Sequence, residues 1–157
     1  MQIRPMTVDD KLTVMYMLRE MPEFKDAEVA VAEEVIDSYL SDPVKSGYYI
    51  LVAETSSSIA GYICYGPTPL TEGTWDIYWL AVSPNRQSQG IGKKLIAFAE
   101  EAVLQSKGRM VIIETSSQPL YESARRFYSG QGYELGCRIA DFYAIGDDKL
   151  VLIKRLN

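Results

Sequence analysis

A glycine-bearing segment in the middle of the chain decides the fold: residues 82–95 read VSPNRQSQGIGKKL. The preceding stretch, Thr74 to Val82, is rich in aromatic and branched residues and predicts a strand. After the glycines, the spacing predicts a helix from about Gly90 to Gln105, with an apolar stripe of Ile91, Leu95, Phe98 and Ala102. A strand therefore runs into a glycine turn and a helix follows at once.

Such a junction favours an anion site. The first N–H groups of a helix have no partner within the helix, and the helix dipole adds positive potential there. Gly90 and Gly92 allow a phosphate to approach the backbone, and Lys93 and Lys94 supply charge. The Walker A and G-x-G-x-x-G patterns both fail, because Gln87 and Leu95 stand where glycines are needed. The two glycines alone are also compatible with a plain turn and helix cap.

The rest of the chain predicts a single α/β domain over residues 1–157, with element order βααβββαβαββ around a mixed, largely antiparallel sheet. Further strands are predicted at Ile3–Met6, Tyr48–Glu54, Ile59–Tyr65, Val111–Thr115, Tyr133–Tyr143 and Leu150–Leu156. The polar stretch Thr55–Ser58 joins two of them.

Three further helices are predicted. The first follows a T-x-x-D cap at Thr7 and Asp10, with Leu12, Met15 and Leu18 at helical spacing. The second runs from about Ala27 to Leu40 and presents Val31, Val35 and Tyr39, with Ala32, Ile36 and Leu40 beside them; Asp42-Pro43 ends it. The third, Ser123–Ser129, is stopped by Gly130 and Gly132.

Composition excludes several classes of function. With 47% hydrophobic and 24% charged residues, the chain is typical of a globular protein, and its formal charge of −5 argues against a general nucleic-acid binder. No apolar run approaches the roughly 20 residues that span a bilayer, so no membrane partner is expected. The chain has no histidine, which excludes Ser-His-Asp catalysis and HExxH zinc sites. Cys64 and Cys137 form no CxxC pattern and are predicted to be buried in a reducing, cytoplasmic compartment, with no metal.

The segment Gln87-x-x-Gly90-x-Gly92 resembles the pyrophosphate-binding motif of the GNAT N-acetyltransferase superfamily. The approach Leu80-Ala81-Val82-Ser83-Pro84 is similar to that family as well. So is the later run from Ala124 to Tyr133, which resembles the family's A-x-x-x-Y-x-x-x-G-[FY] segment. The order of elements also matches that of the family, and two motifs in this order make the resemblance specific.

The resemblance implies acetyl-CoA as cosubstrate and assigns residues to it. Backbone amides of the glycine segment would hold the pyrophosphate, which involves Gln87, Ser88, Gln89, Gly90, Gly92 and Lys93. The strand would pair with the pantetheine arm through Leu80, Ala81 and Val82, and an amide near Ala81 or Val82 would hold the developing oxyanion. Tyr121 stands where the family often has an Asn that contacts the cofactor, so Ser123 or a backbone group is expected to replace that contact.

Catalytic roles follow from the same resemblance. Tyr128 matches the family's helix tyrosine and is the expected general acid; packing at a helix–sheet interface is the alternative. Asp76 matches a Glu that some members carry and is the expected base, with Glu114 as rival. Alternation along the strand groups Asp76, Tyr78 and Leu80 on one face, unless a bulge changes the parity. Walls of an acceptor pocket are expected from aromatic residues that are equally compatible with core packing: Trp75, Tyr78, Trp79 and Tyr143.

The predicted function is therefore transfer of an acetyl group from acetyl-CoA to a primary amine, by direct attack in a ternary complex. The acceptor is expected to be a small-molecule or peptide amine, and the sequence leaves a homodimer open. Two alternatives remain at this point: transfer of another acyl group, and a non-catalytic CoA-binding sensor or interaction module.

Overall fold

The computed structural model describes residues 1–56 and 58–157. Its strands are β1 (Gln2–Pro5), β2 (Tyr49–Glu54), β3 (Ile59–Pro67), β4 (Thr74–Val82), β5 (Met110–Ser116), β6 (Glu134–Ala144) and β7 (Asp147–Arg155). Its helices are α1 (Lys11–Glu20), α2 (Asp26–Ser41), α3 (Pro43–Ser46), α4 (Ile91–Gln105) and α5 (Glu122–Gly130). The predicted polar connection Thr55–Ser58 contains Ser57, which lies outside the described residues.

The strands form one sheet in the order β1-β2-β3-β4-β5-β7-β6. Every neighbouring pair is antiparallel except β4 and β5, which are parallel because α4 connects them. Helices α1 and α2 pack on one face of the sheet, and α4 and α5 pack on the other. The predicted fold class, a mixed and largely antiparallel sheet flanked by helices, is confirmed. Helix α3 is an addition to the predicted order; it begins where Asp42 accepts a hydrogen bond from the Lys45 amide at 3.2 Å.

The helices are where predicted, but some of their buried faces differ from the prediction. In α4 the sheet covers Ile91, Leu95, Ile96, Ala99 and Val103, whereas Phe98 is 53% exposed. Leu12 in α1 and Val31 in α2 are also exposed. Each helix carries more apolar residues than one buried stripe can contain. The sequence period is therefore compatible with two overlapping apolar faces of the helix, and contact with the sheet decides which of them is buried.

The two cysteines have different surroundings. Cys64 in β3 is buried, as predicted, and burial raises the pKa of its thiol. Cys137 is exposed, so the prediction that it is buried is wrong. It lies on β6, the last strand of the sheet order, and every residue of β6 is exposed. Separately, no helix among the described residues combines the length and the apolar character that crossing a bilayer requires.

An extra residue in β4 changes which side chains share a face. Cys64 lies opposite Trp79 and Tyr65 lies opposite Ile77, so Tyr78 is a bulge. After the bulge, Leu80 joins Ile77 on the side of α4, while Trp79 turns toward α1 and α2. The predicted grouping of Asp76, Tyr78 and Leu80 on one face is therefore wrong, because the bulge reverses the alternation.

The bulge lies where β4 and β5 separate. Their ladder runs from Thr74 opposite Met110 to Ile77 opposite Ile113. Beyond it, β4 continues to Val82 against β3, and β5 continues to Ser116 against β7. A bulge bends a strand and increases its local twist, which accounts for the divergence. The opening between the two strands is where the functional site lies.

A buried ion pair ties the start of the chain to the sheet. Asp10 is 6% exposed and accepts hydrogen bonds from Arg4 Nη1 at 2.8 Å and Nη2 at 2.9 Å. The backbone amide of Thr7 also donates to it, at 2.8 Å, which completes the predicted T-x-x-D cap. The Arg4 hydrogen bonds are the main reason that the pKa of Asp10 lies below its usual value of 3.8.

Asp10→Asn is expected to lower the free energy of unfolding by about 1–3 kcal/mol at neutral pH, because it removes a charged hydrogen-bond partner. A lowered folded-state pKa contributes stability above the unfolded pKa of 3.8, and this contribution is lost as the pH falls through the folded value. The difference between variant and wild type should therefore shrink below about pH 4. Urea unfolding at pH 7 and pH 3 measures it, with the exposed neighbour Asp9→Asn as control. A difference that does not vary with pH would contradict this account.

Candidate active site

The opening between β4 and β5 contains a cleft with two connected lobes, of about 720 Å³ and 900 Å³. The smaller is here called the glycine lobe, because Gly90 and Gly92 line it. The larger is called the aromatic lobe, because Tyr78, Trp79 and Tyr143 line it. The lobes meet at side chains that line both: Pro22, Glu23, Leu80, Leu120, Ala124 and Tyr128.

The glycine lobe is formed by the turn into α4. Gly90 caps the helix in the left-handed conformation, with φ of +80°, and Ser88 has φ of +62°. The Gln87 side chain closes the turn by donating to the Val82 carbonyl at 3.2 Å. Gln87, Ser88, Gly90, Gly92 and Lys93 line the lobe, as predicted for a phosphate site. Gln89 does not line it; its side chain accepts a hydrogen bond from Arg86 at 3.3 Å.

Gly92 allows α4 and α5 to approach closely at this lobe. A Cβ atom at position 92 would lie 3.1 Å from Cζ of Phe127, a contact that the ring could accept only by moving. Two cations, Lys93 and Arg126, line the same lobe. The start of α4 and these cations favour an anionic ligand.

The strand residues predicted to follow the pantetheine arm have side chains on opposite faces of the sheet. Leu80 and Val82 line the glycine lobe, whereas the Ala81 side chain is 1% exposed and packs on the opposite side of the sheet. The bulge at Tyr78 sets this alternation. The backbone of Ala81 faces β3, because hydrogen-bonded pairs alternate along the ladder and Ser83 already donates to the Ala60 carbonyl.

Tyr128 occupies the junction of the two lobes. Its ring is held edge-on by Phe127 at 5.5 Å and Tyr133 at 6.1 Å between centroids. Burial raises the pKa of Tyr128 above its ordinary value of 10.0, so the hydroxyl is protonated at neutral pH. The expected packing role and the expected donor role are therefore compatible in one side chain.

The aromatic lobe contains three of the four predicted acceptor-wall residues, Tyr78, Trp79 and Tyr143. Trp75 lines neither lobe. It is 7% exposed, and its ring centroid lies 6.1 Å from that of Tyr65. A Cβ atom added at position 108 would lie only 2.9 Å from the Trp75 ring. The interpretation of Trp75 as a substrate wall is corrected to a core position, because it precedes the bulge and faces α4.

Tyr121 and Ser123, both predicted near the cofactor, lie in different lobes. Ser123 lines the glycine lobe, and Tyr121 lines the aromatic lobe. The Tyr121 hydroxyl donates to the Glu23 carbonyl at 2.5 Å, which joins α5 to the loop after α1. Burial, with the nearby Glu28 carboxylate, raises the pKa of Tyr121 to about 12.

The two candidates for the base have different surroundings. Asp76 lines neither lobe and accepts hydrogen bonds from the Thr68 hydroxyl at 2.5 Å and, at the long limit, from the Tyr78 hydroxyl at 3.5 Å. Burial raises the pKa of Asp76, and the charge of Glu114 adds to the shift. Glu114 lines the aromatic lobe directly and pairs with Lys149 at 3.0 Å.

Three carboxylates of the aromatic lobe were not anticipated from the sequence: Glu23, Glu28 and Asp147. Glu23 and Glu28 lie close together in the chain, in the loop after α1 and in the first turn of α2, whereas Asp147 is far from both, at the start of β7. No motif connects them, and only the packing of α2 and β7 around the cleft brings them together.

The acetyltransferase (GNAT) domain model matches residues 46–135, which include β2 to α5 and the whole glycine turn. The chain belongs to the GNAT acetyltransferase family.

Solved GNAT structures agree with this assignment. A GNAT-family protein from Desulfovibrio desulfuricans is 37% identical, with 98% of each chain covered and a TM-score of 0.94. An aminoglycoside 6'-N-acetyltransferase in complex with coenzyme A is 18% identical, with 99% of this chain and 97% of that chain covered and a TM-score of 0.76. A ribosomal-protein-alanine N-acetyltransferase from Brucella melitensis is 22% identical, with 99% and 100% covered and a TM-score of 0.80. The last two structures show the shared fold. A comparison with curated protein sequences found no match.

As a GNAT member, the protein is an acyltransferase enzyme of a family that uses acetyl-CoA.

Proposed function

We propose that this GNAT enzyme transfers an acetyl group from acetyl-CoA to a primary amine by direct attack in a ternary complex. The observation that carries the proposal is the junction at Tyr128 of two lobes with opposite character. One lobe offers a helix start and cations, which suit a diphosphate. The other offers aromatic faces and carboxylates, which suit an amine.

Acetyl-CoA fits the glycine lobe by its chemistry. Amides at the start of α4, with Lys93 and Arg126, match the charge of a pyrophosphate. From there β4 leads toward Tyr128, and beyond Ile77 its edge is no longer laddered to β5. The open edge offers the backbone of Leu80 and Val82 to an amide-containing arm, whereas the polar backbone groups of Ala81 face β3. Of the two expected amides, that of Val82 is then available to stabilise negative charge on the thioester oxygen.

Two proton movements need help from the enzyme at neutral pH. A lysine-like amine has a pKa of about 10.4 and a simple thiol about 8.5, so the amine must lose a proton and the thiolate benefits from gaining one. As the C–N bond forms and the C–S bond breaks, the Tyr128 hydroxyl donates its proton to the departing sulfur. Asp76 accepts the amine proton through the Tyr78 hydroxyl or a bridging water, because Tyr78 lines the lobe and Asp76 does not. Both residues return to their starting states by exchange with solvent.

The direct test is incubation of the enzyme with acetyl-CoA and a panel of amines, following release of free CoA and the mass of the product. Acetylated amine and free CoA in equal amounts support the proposal. Hydrolysis of acetyl-CoA at a rate that no amine changes would oppose it.

Gly92→Asp is expected to weaken binding of acetyl-CoA by about tenfold or more, because it places a side chain against Phe127 and a negative charge beside the phosphates. Calorimetry on the folded variant measures the affinity. Gly130→Asp is the matched control, since a Cβ there meets nothing within 4 Å. Unchanged affinity of the Gly92 variant would remove the glycine lobe from cosubstrate binding.

Asp76→Asn is expected to slow transfer and to shift the rate–pH profile toward higher pH, because the reaction then depends on amine that has lost its proton in solution. Glu114→Gln is compared in parallel, since Glu114 lines the aromatic lobe. A shift in the Glu114 variant and none in the Asp76 variant would transfer the role of base to Glu114.

Tyr128→Phe deletes the proton donor and keeps the ring. The expected loss is about 10²–10⁴-fold in kcat, with little change in CoA affinity, because the proton is needed only as the C–S bond breaks. The loss should shrink with a thioester whose thiol is more acidic. Tyr133→Phe is the control, since Tyr133 packs against Tyr128 and lines neither lobe. A Tyr128 variant with lower melting temperature and near-normal kcat would show a packing role instead.

A further inference from the structure

The aromatic lobe carries three carboxylates that form no salt bridge among the described residues. Glu23, Glu28 and Asp147 line it, and within residues 1–56 and 58–157 none of the three forms an ion pair with Lys or Arg. Lys25 lines the rim as an exposed side chain, and Glu114 is already paired with Lys149 at 3.0 Å. The lobe therefore has an excess of negative charge.

Partial burial makes the charged form of these carboxylates less favourable, and a bound cation would stabilise it. Burial raises the pKa of Glu28; the charge of Lys25 opposes this increase, and like-charge repulsion from Asp147 adds a smaller one. The glycine lobe, in contrast, carries Lys93 and Arg126. The two lobes thus attract ligands of opposite charge, and the charge of the aromatic lobe suits its acceptor.

The position of these carboxylates separates them from the reacting amine. The reacting amine must be neutral and must reach Tyr128, where the lobes meet. Glu28 and Asp147 line only the aromatic lobe, so a charged group bound between them is a different group from the one that reacts. Tyr121 and Tyr143 line the same lobe, and aromatic rings attract cations.

We infer, on the basis of the proposed function, that the acceptor is a small molecule with at least two amino groups: one reacts beside Tyr128, and a second, protonated, is held by Glu28 and Asp147. A lobe of about 900 Å³ is within the range of small-molecule sites. A linear polyamine and an aminosugar share this chemistry.

The test is binding, measured by calorimetry at fixed ionic strength to enzyme saturated with CoA, so that no transfer occurs. Cadaverine is compared with n-hexylamine, which has the same length and a methyl group in place of the second amine. Cadaverine is expected to bind about tenfold more tightly or better, since a charged hydrogen bond is worth that much. Spermidine represents the linear polyamines and neamine the aminosugars, so their affinities distinguish the two classes of acceptor. A lysine tripeptide represents a protein acceptor.

Glu28→Gln and Asp147→Asn should each reduce the preference for cadaverine by about tenfold. The amide of Asp147→Asn can still accept the hydrogen bond from Ser116, and the amide of Glu28→Gln keeps an oxygen beside the Tyr121 hydroxyl. Glu34→Gln removes the same charge from an exposed position of α2 outside the cleft and should leave the preference unchanged.

Equal affinity for cadaverine and n-hexylamine would overturn the inference, as would a preference that both variants retain or tighter binding of the tripeptide. Release of CoA from acetyl-CoA is measured separately with the same amines. A preference for cadaverine without release would support the acidic site and contradict the proposed transfer. Release without preference would contradict the site and leave the proposed transfer standing.

Discussion

The bulge at Tyr78 is the constraint on which the cleft depends. One extra residue in β4 reverses the alternation of side chains, so Leu80 faces α4 while Trp79 faces α1 and α2, and both line the cleft. At the same point the ladder to β5 ends at Ile77, and a strand edge in the middle of the sheet is left open. A regular strand in this position would close the sheet and bury the residues that now line both lobes.

The cleft that results is divided by charge as well as by shape. On one side the start of α4 and two cations produce a positive lobe, and on the other side carboxylates from α2, β5 and β7 produce a negative lobe. Tyr128 separates them and is itself buried, which keeps its hydroxyl protonated. A neutral donor between oppositely charged lobes is suited to a reaction that joins an anionic cosubstrate with a basic acceptor, because neither partner has to cross the region of the other's charge.

Much of the fold was predictable because local patterns carry it. Strand β4 was predicted with its observed bounds, since a segment rich in branched and aromatic residues lies between Gly73 and Pro84. The helix starts and the glycine turn follow from the same kind of local signal. The buried faces of α1, α2 and α4 were predicted only in part, because each helix has more apolar residues than the sheet covers. The burial of Cys137 was predicted wrongly, and the choice between a pocket wall and a core position was left open for Trp75, for a related reason. Burial depends on the strand's place in the sheet and on the bulge, and neither is visible in a residue's own neighbourhood.

The amino-acid sequence by itself identified the family, the glycine turn and the helix position of Tyr128. Each of these features depends on residues that are close together in the chain or that follow one another at a fixed spacing. The tertiary structure decided which residues form the aromatic lobe. Glu23, Glu28 and Asp147 come from the loop after α1, from α2 and from β7. Asp76 lies on the strand that forms the site, but it does not line the cleft, whereas its neighbour Tyr78 does. A motif can specify a backbone turn that binds phosphate, whereas a pocket for the acceptor is assembled from side chains whose proximity arises only when the helices pack on the sheet.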